Sequence, residues 1–123
     1  MGDPFCQNLS GILYEAGENN IPGGRQLHSG GTYLAMEGPA FSTRAESNLY
    51  RKWGCSIIGM TNHTEARLAK EAEIAYSSLS MVTDYDCWKE NCEIVSVDMV
   101  IENLQENANF AKSIISAVAK RIS

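Results

Sequence analysis

Two carboxylates separated by one residue stand in the segment Thr83–Lys89, which reads Thr-Asp-Tyr-Asp-Cys-Trp-Lys. In an extended chain, residues i and i+2 lie on the same side, so Asp84 and Asp86 can face one ligand together. Close carboxylates resist ionising together, and burial adds to that resistance, which suits one of them to donate a proton near neutral pH. An acidic turn exposed to solvent is the alternative interpretation, and the spacing alone leaves both open.

A second polar cluster follows a short apolar run, at Gly-Met-Thr-Asn-His over residues 59–63. The run predicts a strand that passes directly into a helix, and in α/β sheets ligands bind beyond the carboxyl ends of the strands. The free amides of a helix start favour an anion, and Thr61 supplies a hydroxyl beside them. Alternatively, Thr61 and Asn62 only cap the helix.

The cysteines give a weak case for a metal. Cys87 and Cys92, together with the distant His63, do not complete the tetrahedral set of four ligands that zinc requires. The sequence therefore predicts no metal site.

The elements that position these residues alternate along the chain. Residues 9–16 have weak helical periodicity, and residues 26–36 predict extended chain with two short strands. Glu37-Gly38-Pro39 predicts a loop. A helix is expected to begin at Thr43, because Glu46 three residues later completes a capping box, and to end at Gly54.

The second half continues the alternation. Residues 55–60 predict a buried strand, and Asn62 is the expected N-cap of a helix that continues to Glu73. Residues 74–82 alternate as a covered central strand would. Residues 97–118 form the clearest helical pattern, with Ser96 as a possible cap. The order predicts an α/β fold, with a mostly parallel or mixed sheet flanked by helices, in a single partial domain over residues 1–123.

Composition excludes several classes of function. Ten basic residues against fifteen acidic ones give a net charge of −5, and no basic patch indicates nucleic-acid binding. No apolar run approaches the roughly 20 residues that cross a bilayer. The N-terminus lacks the features of a signal peptide, and the four cysteines show no disulfide framework. We therefore expect a cytoplasmic protein that binds neither membranes nor nucleic acid.

Four separated motifs resemble the 5′-methylthioadenosine phosphorylases, a family in the trimeric branch of the purine nucleoside phosphorylases. They are Glu37–Glu46, Gly59–Asn62, Glu65–Ala72 and Thr83–Lys89, which read EGPAFSTRAE, GMTN, EARLAKEA and TDYDCWK. Residues 3–6 and 106–109 resemble the family as well. The resemblance implies the phosphorylase fold and the phosphorolysis of methylthioadenosine to adenine and 5-methylthioribose 1-phosphate.

The same resemblance implies roles for individual residues. Phe41 corresponds to the aromatic that packs on the purine, Met60 to the residue under the ribose, and Thr61 to a phosphate contact. Asp84 and Asp86 correspond to the pair that binds N7 and the 6-amino group. The apolar wall around the methylthio group is implied to comprise Val97, Val100 and Ile101.

The family is longer than this chain, which resembles its C-terminal half. The family's N-terminal phosphate loop and first strands have no counterpart here, so we expect little or no activity from this chain alone. Inorganic phosphate is the implied co-substrate, with no cofactor. The implied partner is a homotrimer or a complementing N-terminal half. An inactive remnant that binds purine or serves oligomerisation is the alternative.

Overall fold

A computed structural model describes residues 2–83, 85–89 and 97–122 of the chain. Helices and short strands alternate along most of this length, which confirms the α/β class. The elements are α1 (Gln7–Glu18), β1 (Tyr33–Ala35), α2 (Arg44–Lys52), β2 (Ile57–Gly59), α3 (Asn62–Glu71) and α4 (Val97–Ile122). In these described parts, no helix is long and apolar enough to span a bilayer.

The two strands pair in parallel, with Tyr33 opposite Ile57 and Ala35 opposite Gly59. A backbone hydrogen bond continues the pairing at each end: Ser56 donates to Thr32 over 2.8 Å, and Met36 donates to Gly59 over 2.9 Å. Both strands therefore end at the same edge of the sheet. The predicted extended segment 26–36 contributes a strand over its last part only, and the mixed sheet that we expected remains a prediction.

The start of α2 is fixed by the capping box that the sequence predicts. The Glu46 amide donates to the Thr43 hydroxyl over 3.3 Å, and the Thr43 amide donates to the Glu46 carboxylate over 2.7 Å. These two bonds satisfy donors that a helix start otherwise leaves free. The helix ends before Gly54, whose φ of +80° suits glycine.

The N-terminus of α3 corrects one prediction. Thr61, and not Asn62, occupies the cap position, and Asn62 is the first helical residue. The Asn62 side chain instead donates to the Ser78 hydroxyl over 2.9 Å. The sequence suggested Asn62 because asparagine is a strong capping residue, but a partner distant in sequence draws its amide away from the helix start.

The strand predicted over residues 74–82 is absent from this part of the described structure. Alternation alone does not make a strand, because a strand also needs a neighbouring backbone to bond. Here Cys6 donates to the Tyr76 carbonyl over 2.7 Å, and the Ser77 hydroxyl meets that of Ser10 at 2.8 Å. Side chains, more than a ladder of backbone bonds, therefore hold this segment. Ile74 and Val82 are exposed, contrary to the covered central strand that we expected.

The core lies between α1 and α4. Ala16, Ile114 and Val118 are buried there, with partly buried side chains packed around them: Leu9, Ile12, Leu13, Leu79, Phe110 and Ala117. An ion pair between Arg121 and Glu15, 3.0 Å long, joins the same helices at the surface. The predicted last helix is confirmed, while its proposed cap Ser96 lies outside the described residues.

Adjacent isoleucines of α4 provide a matched test of this core. Ile114 is 0% exposed, whereas Ile115 is 58% exposed. We expect Ile114→Ala to lower the free energy of unfolding by about 2–5 kcal/mol through lost burial and a residual cavity. Ile115→Ala should cost much less, because its side chain already contacts solvent. Urea unfolding followed by circular dichroism measures both, and equal losses would contradict the packing described.

Candidate functional site

The loops that follow β1 and β2 meet beyond the shared edge of the sheet. In the first loop, the Ser42 hydroxyl lies 3.3 Å from the Met36 sulfur. Met60 follows β2 directly, and its terminal methyl packs over Gly38: a Cβ atom added at Gly38 would lie 2.5 Å from it. This contact places Met60 against the loop that carries Phe41.

Phe41 and Met60, the two residues assigned to the purine and the ribose, thus belong to one neighbourhood. The Phe41 side chain is 85% exposed, and Met60 is partly exposed. A ligand pocket normally buries most of its ligand between several walls. The described residues form only one face of such a site.

The segment 85–89 packs on α2 and on the residue before its cap. The Cys87 sulfur lies 3.5 Å from the Ser42 carbonyl oxygen, and the Ser47 hydroxyl donates to the Asp86 carboxylate. The guanidinium of Arg51, one turn after Ser47, lies 3.7 Å from the centre of the Trp88 ring. Asp86 is therefore brought next to the loop that carries Phe41.

The predicted carboxylate pair is described for one member only. Asp86 accepts from Ser47 and also from the Cys87 amide, over 2.8 Å, so it is not a freely solvated turn residue. Asp84 lies outside the described residues, and its shared role with Asp86 stays a prediction. An ionised carboxylate with lone pairs left over can accept a hydrogen bond from a ligand amine.

Sequence reasoning missed Ser47. Its side chain is 1% exposed and touches both Asp86 and Cys87. The available signal was a serine inside a predicted helix, where serine is unfavourable unless its hydroxyl finds a partner.

Thr61, the predicted phosphate contact, lies beside a carboxylate. Hydrogen bonds from the Tyr76 hydroxyl, at 2.6 Å, and from Thr61 lower the pKa of Glu65. Burial and the bond to Glu65 raise the pKa of Tyr76 to about 12. The negative charge of Glu65 therefore stands in the first turn of α3, where an anion held by Thr61 would feel its repulsion.

The remaining predicted contacts lie on the first turns of α4. Ile101 exposes nearly half of its side chain. The helix backbone includes Val97 and Val100, but their side chains lie outside the described residues. Over the described ranges, no three histidine, cysteine, aspartate or glutamate residues cluster as a metal site would require. His63 lines an open groove beside β1 instead.

Comparison with known proteins decides the family. The sequence model of the phosphorylase superfamily matches residues 1–120. The chain belongs to this superfamily. Among its relatives, the S-methyl-5′-thioadenosine phosphorylase of Prochlorococcus marinus is 72% identical over the whole chain, which covers 39% of that protein. The enzyme of the same name from Schizosaccharomyces pombe is 50% identical over 98% of this chain and 41% of its own.

Solved structures of the superfamily agree with this placement. A methylthioadenosine phosphorylase from an antarctic soil metagenomic library superposes with a TM-score of 0.92 at 48% identity, over 99% of this chain and 42% of that one. The Schistosoma mansoni enzyme, solved in complex with adenine, gives a TM-score of 0.84 at 33% identity over 99% and 47%. The resemblance to methylthioadenosine phosphorylases is thus confirmed, and this chain spans about 40% of the length of the curated relatives.

The Tyr76–Glu65 contact of this superfamily member predicts a loss of stability in alkali. Tyr76 has a pKa of about 12 in the folded chain, against an ordinary value of 10.0. The neutral Tyr76 phenol therefore stabilises the folded chain fully below pH 10. This stabilisation is lost as the pH rises from about 10 towards 12, because the unfolded chain loses the phenol proton first. Tyr76→Phe should have a lower free energy of unfolding than the parent at pH 7. The difference in unfolding free energy between the two should narrow above pH 10.

Urea unfolding at a series of pH values measures this difference. Glu65→Gln is the matched control, because it keeps a hydrogen-bond acceptor for Tyr76 and removes the charge that helps to hold the phenol neutral. The pH dependence of the unfolding free energy of Glu65→Gln should fall between those of the parent and Tyr76→Phe. If the unfolding free energies of the parent and Tyr76→Phe changed with pH in parallel, the raised pKa of Tyr76 in the folded chain would be contradicted.

Proposed function

We propose that this chain forms the adenine-recognising part of a 5′-methylthioadenosine phosphorylase. In the proposed reaction, a phosphate oxygen forms a bond to C1′ of the methylthioribose as the bond from C1′ to the purine nitrogen breaks. The products are 5-methylthioribose 1-phosphate and adenine, which takes up a proton. Inorganic phosphate is the second substrate, and no cofactor takes part.

One observation carries the proposal most directly. The 3.5 Å contact between the Cys87 sulfur and the Ser42 carbonyl joins the two motifs assigned to the purine. It brings the acceptor Asp86 next to the loop of Phe41. An aromatic face beside a hydrogen-bonding carboxylate suits a flat base that carries an amino group.

The proposed roles follow from the charge that develops during the reaction. The leaving purine gains negative charge, so a protonated Asp84 that donates to N7 would lower the barrier. Asp86 would accept from the 6-amino group. A 6-oxo purine presents an acceptor at that position, and two acceptors facing each other are disfavoured.

The sugar and phosphate contacts complete the proposed site. Met60 would lie under the ribose, and Thr61 would contact phosphate. The uncharged methylthio group would pack on the apolar side chains proposed for the start of α4: Val97, Val100 and Ile101. An apolar wall matches a thioether, which has little to gain from polar partners.

The rest of the site would come from additional polypeptide. Phe41 is largely exposed, and the carboxylate of Glu65 opposes the phosphate that Thr61 and the start of α3 would hold. Poor positioning of a nucleophile costs factors of about 100 or more. We therefore propose that activity needs the part of the relatives that this chain does not match, within a homotrimer or as a complementing chain in the cytoplasm.

The activity test is adenine release from methylthioadenosine, with and without phosphate. We expect little turnover from the purified chain alone. Phosphate-dependent turnover should appear when the part of the Prochlorococcus marinus relative outside the matched region is co-expressed with it. A folded complex of the two that releases no adenine would overturn the proposal.

A second candidate function is purine binding without turnover. The exposed face around Phe41 favours it, because a base can stack on an aromatic ring that is 85% exposed. Adenine binding by the chain, measured by calorimetry, with no adenine release from the complemented complex would select this alternative.

The assignment of Asp86 is tested by the complemented complex. Asp86→Asn replaces one acceptor oxygen by a donor, so the preference for adenine over hypoxanthine should fall by about tenfold or more, since one hydrogen bond to a charged group is worth roughly 1.5–3 kcal/mol. The ratio of kcat/KM for methylthioadenosine and its 6-oxo analogue measures this preference. An unchanged ratio would show that Asp86 does not read the 6-position.

A further inference from the structure

Ser47 is a buried polar side chain with an acidic partner. Ser47 is 1% exposed, and among the described residues it is the polar one that is buried. A hydroxyl taken out of water destabilises a protein unless it is hydrogen-bonded. Ser47 meets that need by donating to one oxygen of the Asp86 carboxylate, and its own oxygen lies 3.5 Å from the Cys87 sulfur.

The Asp86 carboxylate is held through both of its oxygens. Ser47 donates to Oδ2, and the Cys87 amide donates to Oδ1 over 2.8 Å. An ionised carboxylate has about four acceptor positions, so about two remain for a ligand. Two donors on different oxygens also fix the rotation of the group, and the free positions then point in a defined direction.

The donor itself is fixed by its helix. Ser47 lies in the first turns of α2, where its amide donates to the Thr43 carbonyl over 2.9 Å and the Thr43–Glu46 capping box sets the helix start. Arg51, four residues later on the same face, stacks on Trp88. The segment 85–89 is thereby held against α2 at Trp88 as well as at Asp86.

We propose that Ser47 is a positioning residue for base recognition: its hydroxyl orients the Asp86 carboxylate to accept from the exocyclic amine of a 6-aminopurine. This role rests on the proposed function. Without the hydroxyl, Asp86 keeps the Cys87 amide but can turn about its side-chain bonds. The Asp86 carboxylate is then oriented to accept from the amine for a smaller fraction of the time. The selectivity for adenine over a 6-oxo purine falls as a result.

The test compares three substitutions at one position. Ser47→Ala should reduce the ratio of adenine to hypoxanthine affinity by about tenfold, in line with the loss of one hydrogen bond to a charged group. Ser47→Thr retains the hydroxyl and should keep the ratio within about threefold of the parent. Ser47→Cys has a weaker donor and should fall between them. Ser113→Ala, an exposed hydroxyl on α4, should change nothing.

Affinities are measured by calorimetry on the 123-residue chain, alone and with the complementing part. A merely structural role would weaken adenine and hypoxanthine binding equally, and the Thr variant would not restore the ratio. An unchanged ratio in Ser47→Ala, or equal ratios in the Ala and Thr variants, would overturn the proposal. Far-UV circular dichroism verifies folding, and the Cys variant keeps the test informative if the Ala variant unfolds.

A second readout needs no ligand. In Ser47→Ala, the NMR signals of the Asp86 carboxyl carbon and the Cys87 amide should shift, whereas those of Lys120 should not. Unmoved Asp86 and Cys87 signals would overturn the proposed contact. Shifted signals in a chain that binds no purine, with or without its complement, would overturn the proposed function and with it the recognition role. Purine binding with unmoved signals would overturn the role of Ser47 alone.

Discussion

The parallel pairing of β1 with β2 is the constraint on which the candidate site depends. Parallel strands end at the same edge, so the two loops that follow them must meet. The pairing extends through Met36, whose amide bonds to the Gly59 carbonyl, directly before the first loop leaves the sheet. Met60 lies against Gly38, in the loop that carries Phe41, for this reason, although Met60 and Phe41 are nineteen positions apart in sequence.

The helix α2, which lies between the two strands in sequence, makes two structural contributions. α2 connects them as a crossover, and its Ser47 and Arg51 face supports the segment that carries Asp86. The buried α1–α4 core lies elsewhere, so stability and the proposed recognition of the base draw on different parts of the chain.

Local signals made much of this fold predictable from sequence. The Thr43–Glu46 capping box and the periodicity of α4 act within a few residues, and both predictions hold. Contacts distant in sequence account for the failures. The segment 74–82 has the alternation of a strand but lacks a ladder partner among the described residues, and Asn62 bonds to Ser78 instead of capping its own helix. Ser47 escaped notice because its importance comes from Asp86, which no local pattern links to it.

The contact between Gly38 and Met60 has a consequence for sequence variation. Gly38 has a φ of +77°, and any side chain there would meet the Met60 methyl at 2.5 Å. A replacement at position 38 would therefore strain the backbone and displace a side chain assigned to the ribose at the same time. A shorter residue at position 60 would relieve only the second effect. The strain at position 38 would remain whatever residue stands at position 60, whereas the flexible end of Met60 can shift at little cost, so Gly38 is the less permissive of the two positions.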